Sequence, residues 1–181
     1  MKIENAFDVP LPPAQAWALL MNVPETAACF PGADAIAATG ADTYKGRVTV
    51  KLGPLRMVFV GNLHLEQRDD ATQTGAVKAN WAETKGRGNA ITVTRFALQA
   101  IAGGSRVSLQ SDLHLAGQVA QYGRGVGMIS AISAQLIATF AQNLQAKIHA
   151  AGTEGANQPP AATEISGLTL LAKALGNRLK H

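Results

Sequence analysis

The chain has 181 residues, 47% of them hydrophobic and 15% charged, and a formal charge of +4. That suits one globular domain with a generous apolar core, plus a tail. The positive charge is scattered, with no arginine-rich run and no row of aromatics, which excludes a nucleic-acid partner.

One cysteine, Cys29, excludes an internal disulfide and suits a reducing compartment. The opening MKIENAFDVP has no apolar signal region, so the expected location is cytoplasmic. Ile3, Asn5, Phe7 and Val9 alternate with Lys2, Glu4, Ala6 and Asp8, the period of a first strand. Pro10, Pro12 and Pro13 stop it and open a helix over Ala14–Met21, since proline is tolerated in a first helical turn. Val23-Pro24 breaks that helix, and Glu25–Phe30 makes a second short one before Pro31-Gly32.

From Ala35 to Leu115 the period becomes two. Val48, Val50 and Leu52 form one apolar phase, and Leu55, Met57, Phe59, Leu63 and Leu65 the next, across Gly53-Pro54. Arg68-Asp69-Asp70, Gly86-Arg87-Gly88-Asn89 and Gly103-Gly104 are turns between further strands. This is an antiparallel meander with one apolar face and one wet face.

From Gly117 to about Ala150, Val119, Tyr122, Val126, Ile129, Leu136, Phe140, Leu144 and Ile148 recur at steps of three, four or seven. That is the stripe of a long amphipathic helix. Ser130, Ser133, Gln135, Thr139, Gln142, Asn143 and Gln145 interrupt it too often for a membrane span. The expected fold is α+β: a curved antiparallel sheet of six to seven strands wrapped around this helix, with two short helices after strand one.

That order resembles the helix-grip fold of START-like and polyketide-cyclase-like proteins. The stretch VPLPPAQAWALLMNVPETAACFPGA, with Trp17 and Cys29-Phe30-Pro31-Gly32, resembles more narrowly the opening of the CoxG family associated with carbon monoxide dehydrogenase. Tyr44–Val48 leading to Val50–Pro54, then Phe59 and Gly61, is similar to that family's central hairpin, and Gly117–Gly123 to the start of its last helix. Phe140 stands alone where the family carries an aromatic pair late in the helix. The resemblance covers residues 1 to about 150. It implies an internal cavity and an accessory role beside a molybdenum hydroxylase such as carbon monoxide dehydrogenase. That role is recruiting the enzyme to the inner membrane and carrying a quinone, or assisting enzyme maturation. No enzymatic activity is implied.

The residues themselves offer little catalytic chemistry. His64, His114, His149 and His181 fall on polar phases or helix ends, and no cluster has metal-ligand spacing. The Gly123-x-Gly125-x-Gly127 series lacks the Lys-Ser/Thr pair of a phosphate loop. It also places costly glycines in the first helical turns, which suggests close backbone approach or a mobile mouth. Cys29 reads as a small buried hydrophobe.

What remains is apolar binding. Ala79, Ala90, Thr92 and Thr94 place small side chains on one phase, and Phe59, Trp81, Phe96 and Tyr122 supply aromatics. With the helix face at Val126, Ile129 and Leu136 they are the expected cavity lining. Periodicity alone slightly favours a filled core; the resemblance favours a cavity. A cyclase- or dehydratase-type enzyme in the same space is the alternative. It would need a positioned acid or base, for which Glu83 and Tyr122 are the best candidates.

Residues 151–163, AGTEGANQPPAAT, read as a flexible linker. Over 164–181, Ile165, Leu168, Leu171, Leu175 and Leu179 recur at helical spacing, with Lys173, Arg178 and Lys180 outside that stripe. Such a helix suits a membrane interface first, then a partner's groove or its own domain.

Overall fold

The computed structural model describes residues 1–52, 55–124 and 126–156; for residues 52, 122–124, 126 and 153–156 it describes the backbone alone. The expected linker beyond residue 156 and the whole tail helix lie outside the described residues. Strand β1 (Lys2–Val9) is followed by α1 (Pro13–Met21) and α2 (Val23–Ala27). Six strands come next: β2 (Ala33–Gly40), β3 (Thr43–Leu52), β4 (Leu55–Asp69), β5 (Thr74–Glu83), β6 (Gly88–Ile101) and β7 (Gly104–Gly117). A 3-10 segment, Gln118–Arg124, leads into α3 (Val126–Ala156).

The seven strands form one sheet in the order β1-β7-β6-β5-β4-β3-β2, every neighbouring pair antiparallel. Sequential hairpins build it from β2 to β7, and β1 then adds along the free edge of β7. Its inner face is the apolar phase read from the sequence: Ile3 and Phe7 of β1, Met57 and Leu65 of β4, Ala79 of β5 and Val107 of β7 are all buried. Asp8 on the outer face of β1 accepts from Arg106 of β7 at 2.8 and 3.0 Å. That pair is half exposed, so it sets register more than it adds stability.

Local chemistry shifts three boundaries. The first helix ends at Met21 and the chain breaks at Asn22, but the second helix is Val23–Ala27 rather than Glu25–Phe30: Val23-Pro24 opens it, because Pro24 sits in the first turn, where its missing N–H has no intrahelical partner anyway. The last helix does not start at Gly117. There the chain has φ +74, packs against Gly88 and continues as the 3-10 segment, with the Val119 N–H bonded to the Arg87 carbonyl at 3.1 Å. At its far end α3 runs to Ala156, so the first six residues expected as linker (151–156) are helical.

The second half of α3 closes one end of the grip. Phe140 meets Phe7 edge-to-face at 5.3 Å and Phe30 at 6.2 Å. Leu144 is fully buried one turn on. Asn143 donates to the Cys29 carbonyl at 2.9 Å and Gln145 to the Asp8 carbonyl at 3.0 Å, which fixes the helix to both α2's exit and β1. Leu144→Ala should therefore cost about 2–5 kcal/mol of unfolding free energy. The exposed Gln142→Ala should stay within about 0.5 kcal/mol. Urea denaturation of the two variants checks this, and equal midpoints would mean that the helix is not what closes the core.

Candidate functional site

Between the inner face of the sheet and the first half of α3 lies a cavity of about 520 Å³. That falls within the range of small-molecule sites. Its walls come from every strand, α1, α2, the 3-10 segment and α3, and they are apolar except for Asn5, Thr26, Thr92, Thr94, Ser111 and Ser133. No charged side chain lines it among the described residues.

The volume is kept open by pairing large inward side chains with glycine on the next strand. Trp81 of β5 faces Gly61 of β4, and a Cβ there would lie 2.8 Å from the indole Cε3. Phe96 of β6 faces Gly75 of β5, where a Cβ would collide with the ring. Directly opposed residues of an antiparallel pair share a face, so each ring lies down over backbone instead of standing into the lumen. Ala79, Ala90 and Thr92 then leave the space beside the rings unfilled.

Of the expected lining residues, Phe59, Trp81, Phe96, Ile129 and Leu136 are on the cavity wall. The side chains of Tyr122 and Val126 lie outside the described residues. Gly127 shows no close approach, for a Cβ there would meet nothing within 4 Å. Sequence reasoning missed Ile132, Ser133 and Ile137, the neighbouring ridge of α3, because its stripe was drawn one residue wide. It also missed Leu20 and Met21, whose short helix shows no clear periodicity, and Phe30, which lies just past α2. Trp17 is buried but off the cavity wall: its Nε1 donates to Asp70 at 2.7 Å and its ring packs 5.8 Å from Phe96. Asp70 was read only as part of a turn, and a side chain 53 positions away gives no local signal.

Titratable groups lie elsewhere. Glu83 points into the β5–β6 turn, where its carboxylate accepts the Lys85 and Arg87 N–H groups at 2.8 and 3.2 Å and the Arg87 guanidinium at 2.7 Å. The hydrogen bond from the Arg87 side chain, outweighing burial, holds its pKa down to about 2. An acid so strongly kept ionised and so fully engaged is a turn anchor, not a proton donor. Cys29 is buried with its Sγ 3.6 Å from the Glu25 carbonyl, and desolvation raises its pKa, which leaves an unreactive thiol. His64 and His114 are exposed. Among the described residues, no three His, Cys, Asp or Glu side chains are placed to hold a metal, and no helix is long and apolar enough to cross a membrane.

The family model for CoxG of carbon monoxide dehydrogenase matches residues 6–149. Among curated proteins no sequence matches significantly. A conserved protein from Geobacillus kaustophilus superimposes with TM-score 0.72 at 16% identity, over 82% of this chain and 95% of that one. The Zhui aromatase/cyclase from Streptomyces sp. R1128 does so with TM-score 0.57 at 15% identity, over 82% and 93%. A protein from Thermus thermophilus gives 0.56 at 11%, over 81% and 99%. At these identities the likeness is one of fold, the START-like helix grip.

The Glu83 anchor has a pH signature. Its folded pKa, about 2, lies below the ordinary 4.5, so between those values the unfolded chain binds more protons. Stability from this group is present above about pH 4.5 and is lost as pH falls toward 2. Denaturation midpoints measured at pH 6, 4 and 3 should drop less steeply for Glu83→Gln than for the natural chain. Parallel slopes would show that the carboxylate is not the anchor.

Proposed function

The chain belongs to the CoxG family of carbon monoxide dehydrogenase, and from that premise we propose a non-catalytic accessory protein of a molybdenum hydroxylase of the carbon monoxide dehydrogenase type. It holds a lipophilic, quinone-like molecule in the cavity and recruits the enzyme to the cytoplasmic face of the membrane. The observation that carries this reading is the cavity of about 520 Å³ with no charged side chain on its described walls. Such a space rewards burial of apolar surface at roughly 25 cal/mol per Å², and it offers an ionised substrate nothing.

The same lining weighs against the alternative, a cyclase- or dehydratase-type enzyme. General acid–base catalysis needs a titratable group within hydrogen-bond reach of the substrate, and Glu83 is engaged by the β5–β6 turn instead. A maturation role for the same partner enzyme would use the same surfaces. Membrane recruitment is assigned to residues 164–181 on their pattern: Leu171, Leu175 and their neighbours on one face, Lys173, Arg178 and Lys180 off it. One short helix with few basic residues gives reversible, salt-sensitive binding to anionic lipid.

Two measurements test the two halves separately. For the cavity, 2-methyl-1,4-naphthoquinone should quench tryptophan fluorescence saturably. Trp81→Ala should weaken that binding about fivefold or more, as the loss of an aromatic wall implies, and Trp17→Ala distinctly less. Equal losses, or quenching that never saturates, would return the cavity to an ordinary loosely packed core. For the tail, the full chain should co-sediment with anionic vesicles at low salt and be released by the Leu171→Asp/Leu175→Asp double substitution, while Thr169→Ala leaves it bound. Identical distribution of all three would remove the membrane from the reading and favour a partner's groove.

A further inference from the structure

Five of the six polar side chains on the described cavity wall gather in one place. Asn5 of β1, Ser111 of β7, and Thr92 and Thr94 of β6 occupy three adjacent strands, and Ser133 comes down on them from α3. The register sets them side by side: Ser111 pairs with Ile3 on one flank and Thr94 on the other, Asn5 with Leu109, and Thr92 with Leu113. Asn5 Nδ2 donates to Ser133 Oγ at 2.9 Å, and the Thr94 and Ser111 hydroxyls share a bond of 2.9 Å. The sixth, Thr26, is already turned to the Leu19 carbonyl at 2.7 Å.

We propose that this strip seats a neutral oxygen of the ligand, a carbonyl, hydroxyl or ether group, and so orients an otherwise apolar molecule in the cavity. The proposal rests on the ligand-binding reading above and names the class of molecule. Core packing does not ask for polar groups here, since the same inward phases elsewhere carry Ile, Phe, Val and Leu. A polar group turned to an apolar space is costly unless it is matched. The internal bonds leave capacity over. Asn5 has given one of its two amide hydrogens to Ser133, and of the two hydroxyls at Thr94 and Ser111 one donates to the other, which keeps its own O–H. The strip therefore offers donors to an acceptor oxygen and, through the Asn5 carbonyl, an acceptor to a hydroxyl.

It discriminates against charge. With no cation on the described walls, a carboxylate entering the cavity would exchange its hydration for a few neutral hydrogen bonds and no countercharge. The ligand class is a neutral amphiphile, a ketone, quinone or alcohol with a hydrocarbon body, rather than a fatty acid anion.

Displacement of the neutral probe N-phenyl-1-naphthylamine from the full chain provides the test, with inhibition constants corrected for each variant's own affinity for the probe. The competitors are three molecules of similar size: 2-methyl-1,4-naphthoquinone, 2-methylnaphthalene and 2-naphthoate at pH 8. The natural chain should bind the quinone most tightly and the naphthoate at least about tenfold more weakly, the scale of one unmatched charge. Asn5→Ala/Ser133→Ala should weaken the quinone about five- to tenfold, as loss of one or two hydrogen bonds implies, and the hydrocarbon less than about twofold. The near-isosteric Thr94→Val, combined with Ser111→Ala, should show the same split, and keeps the question answerable if the first pair does not fold. Equal changes for quinone and hydrocarbon, or naphthoate binding as tightly as quinone, would overturn the strip while leaving the cavity as a binding site. Failure of every competitor to displace the probe would overturn the ligand-binding reading and the strip with it.

Discussion

The cavity depends on where glycine sits opposite a large side chain on the inner face of the sheet. Several inward pairs are bulky on both strands, Phe59 with Val48 and Leu65 with Val77 among them. The two rings that would reach farthest, Trp81 and Phe96, each have a glycine on one neighbouring strand, Gly61 and Gly75, and Ile36 lies over Gly46. Each of these three rests on bare backbone, so the wall is thick in apolar atoms and thin in height. The arrangement also lets neighbouring strands twist closely, which an enclosing sheet requires. A packed interior would be the default for a sheet with this much Val, Leu and Phe.

The two halves of α3 serve different ends. Its later turns end the cavity: Phe140, between Phe7 and Phe30, forms the last of its wall, Leu144 beyond it has no exposure, and polar side chains are tied to backbone carbonyls of β1 and of the segment after α2. Its earlier turns present Ile129, Ile132, Ser133, Leu136 and Ile137 to open volume. The helix is thus anchored to the sheet at one end and faces open volume at the other. Trp17 belongs to the stable part as well. It backs Phe96 from outside the lumen, with its indole N–H satisfied by Asp70.

Electrostatics follow the same division. Glu83, the one buried carboxylate among the described residues, sits on the inward phase of β5 yet is drawn to the turn by two backbone N–H groups and Arg87. The Asp8–Arg106 and Asp34–Arg47 pairs lie on the outer face of the sheet. The described interior is left with neutral hydrogen-bonding groups, on three strands and one helix turn, and selection there works by polarity without charge.

Much of this was legible in the sequence. Period-two alternation marked the strands and the inner face, the 3-, 4- and 7-residue steps marked the last helix, and together they implied a sheet gripping a helix. Phe59, Trp81, Phe96, Ile129 and Leu136 followed from those periods, since a residue's phase determines its face. What the sequence could not decide were facts of register and distance. That Trp81 meets Gly61 rather than Leu63, that Glu83 finds Arg87, that Trp17 finds Asp70, and that Asn5 and Ser133 touch across 128 positions depend on strand offsets and on how the helix is rotated. Local patterning leaves both free, because a strand slipped by two residues, or a helix turned by one ridge, keeps the same alternation. Only the closed tertiary structure, in which all seven strands and the helix must pack at once, selects one of them.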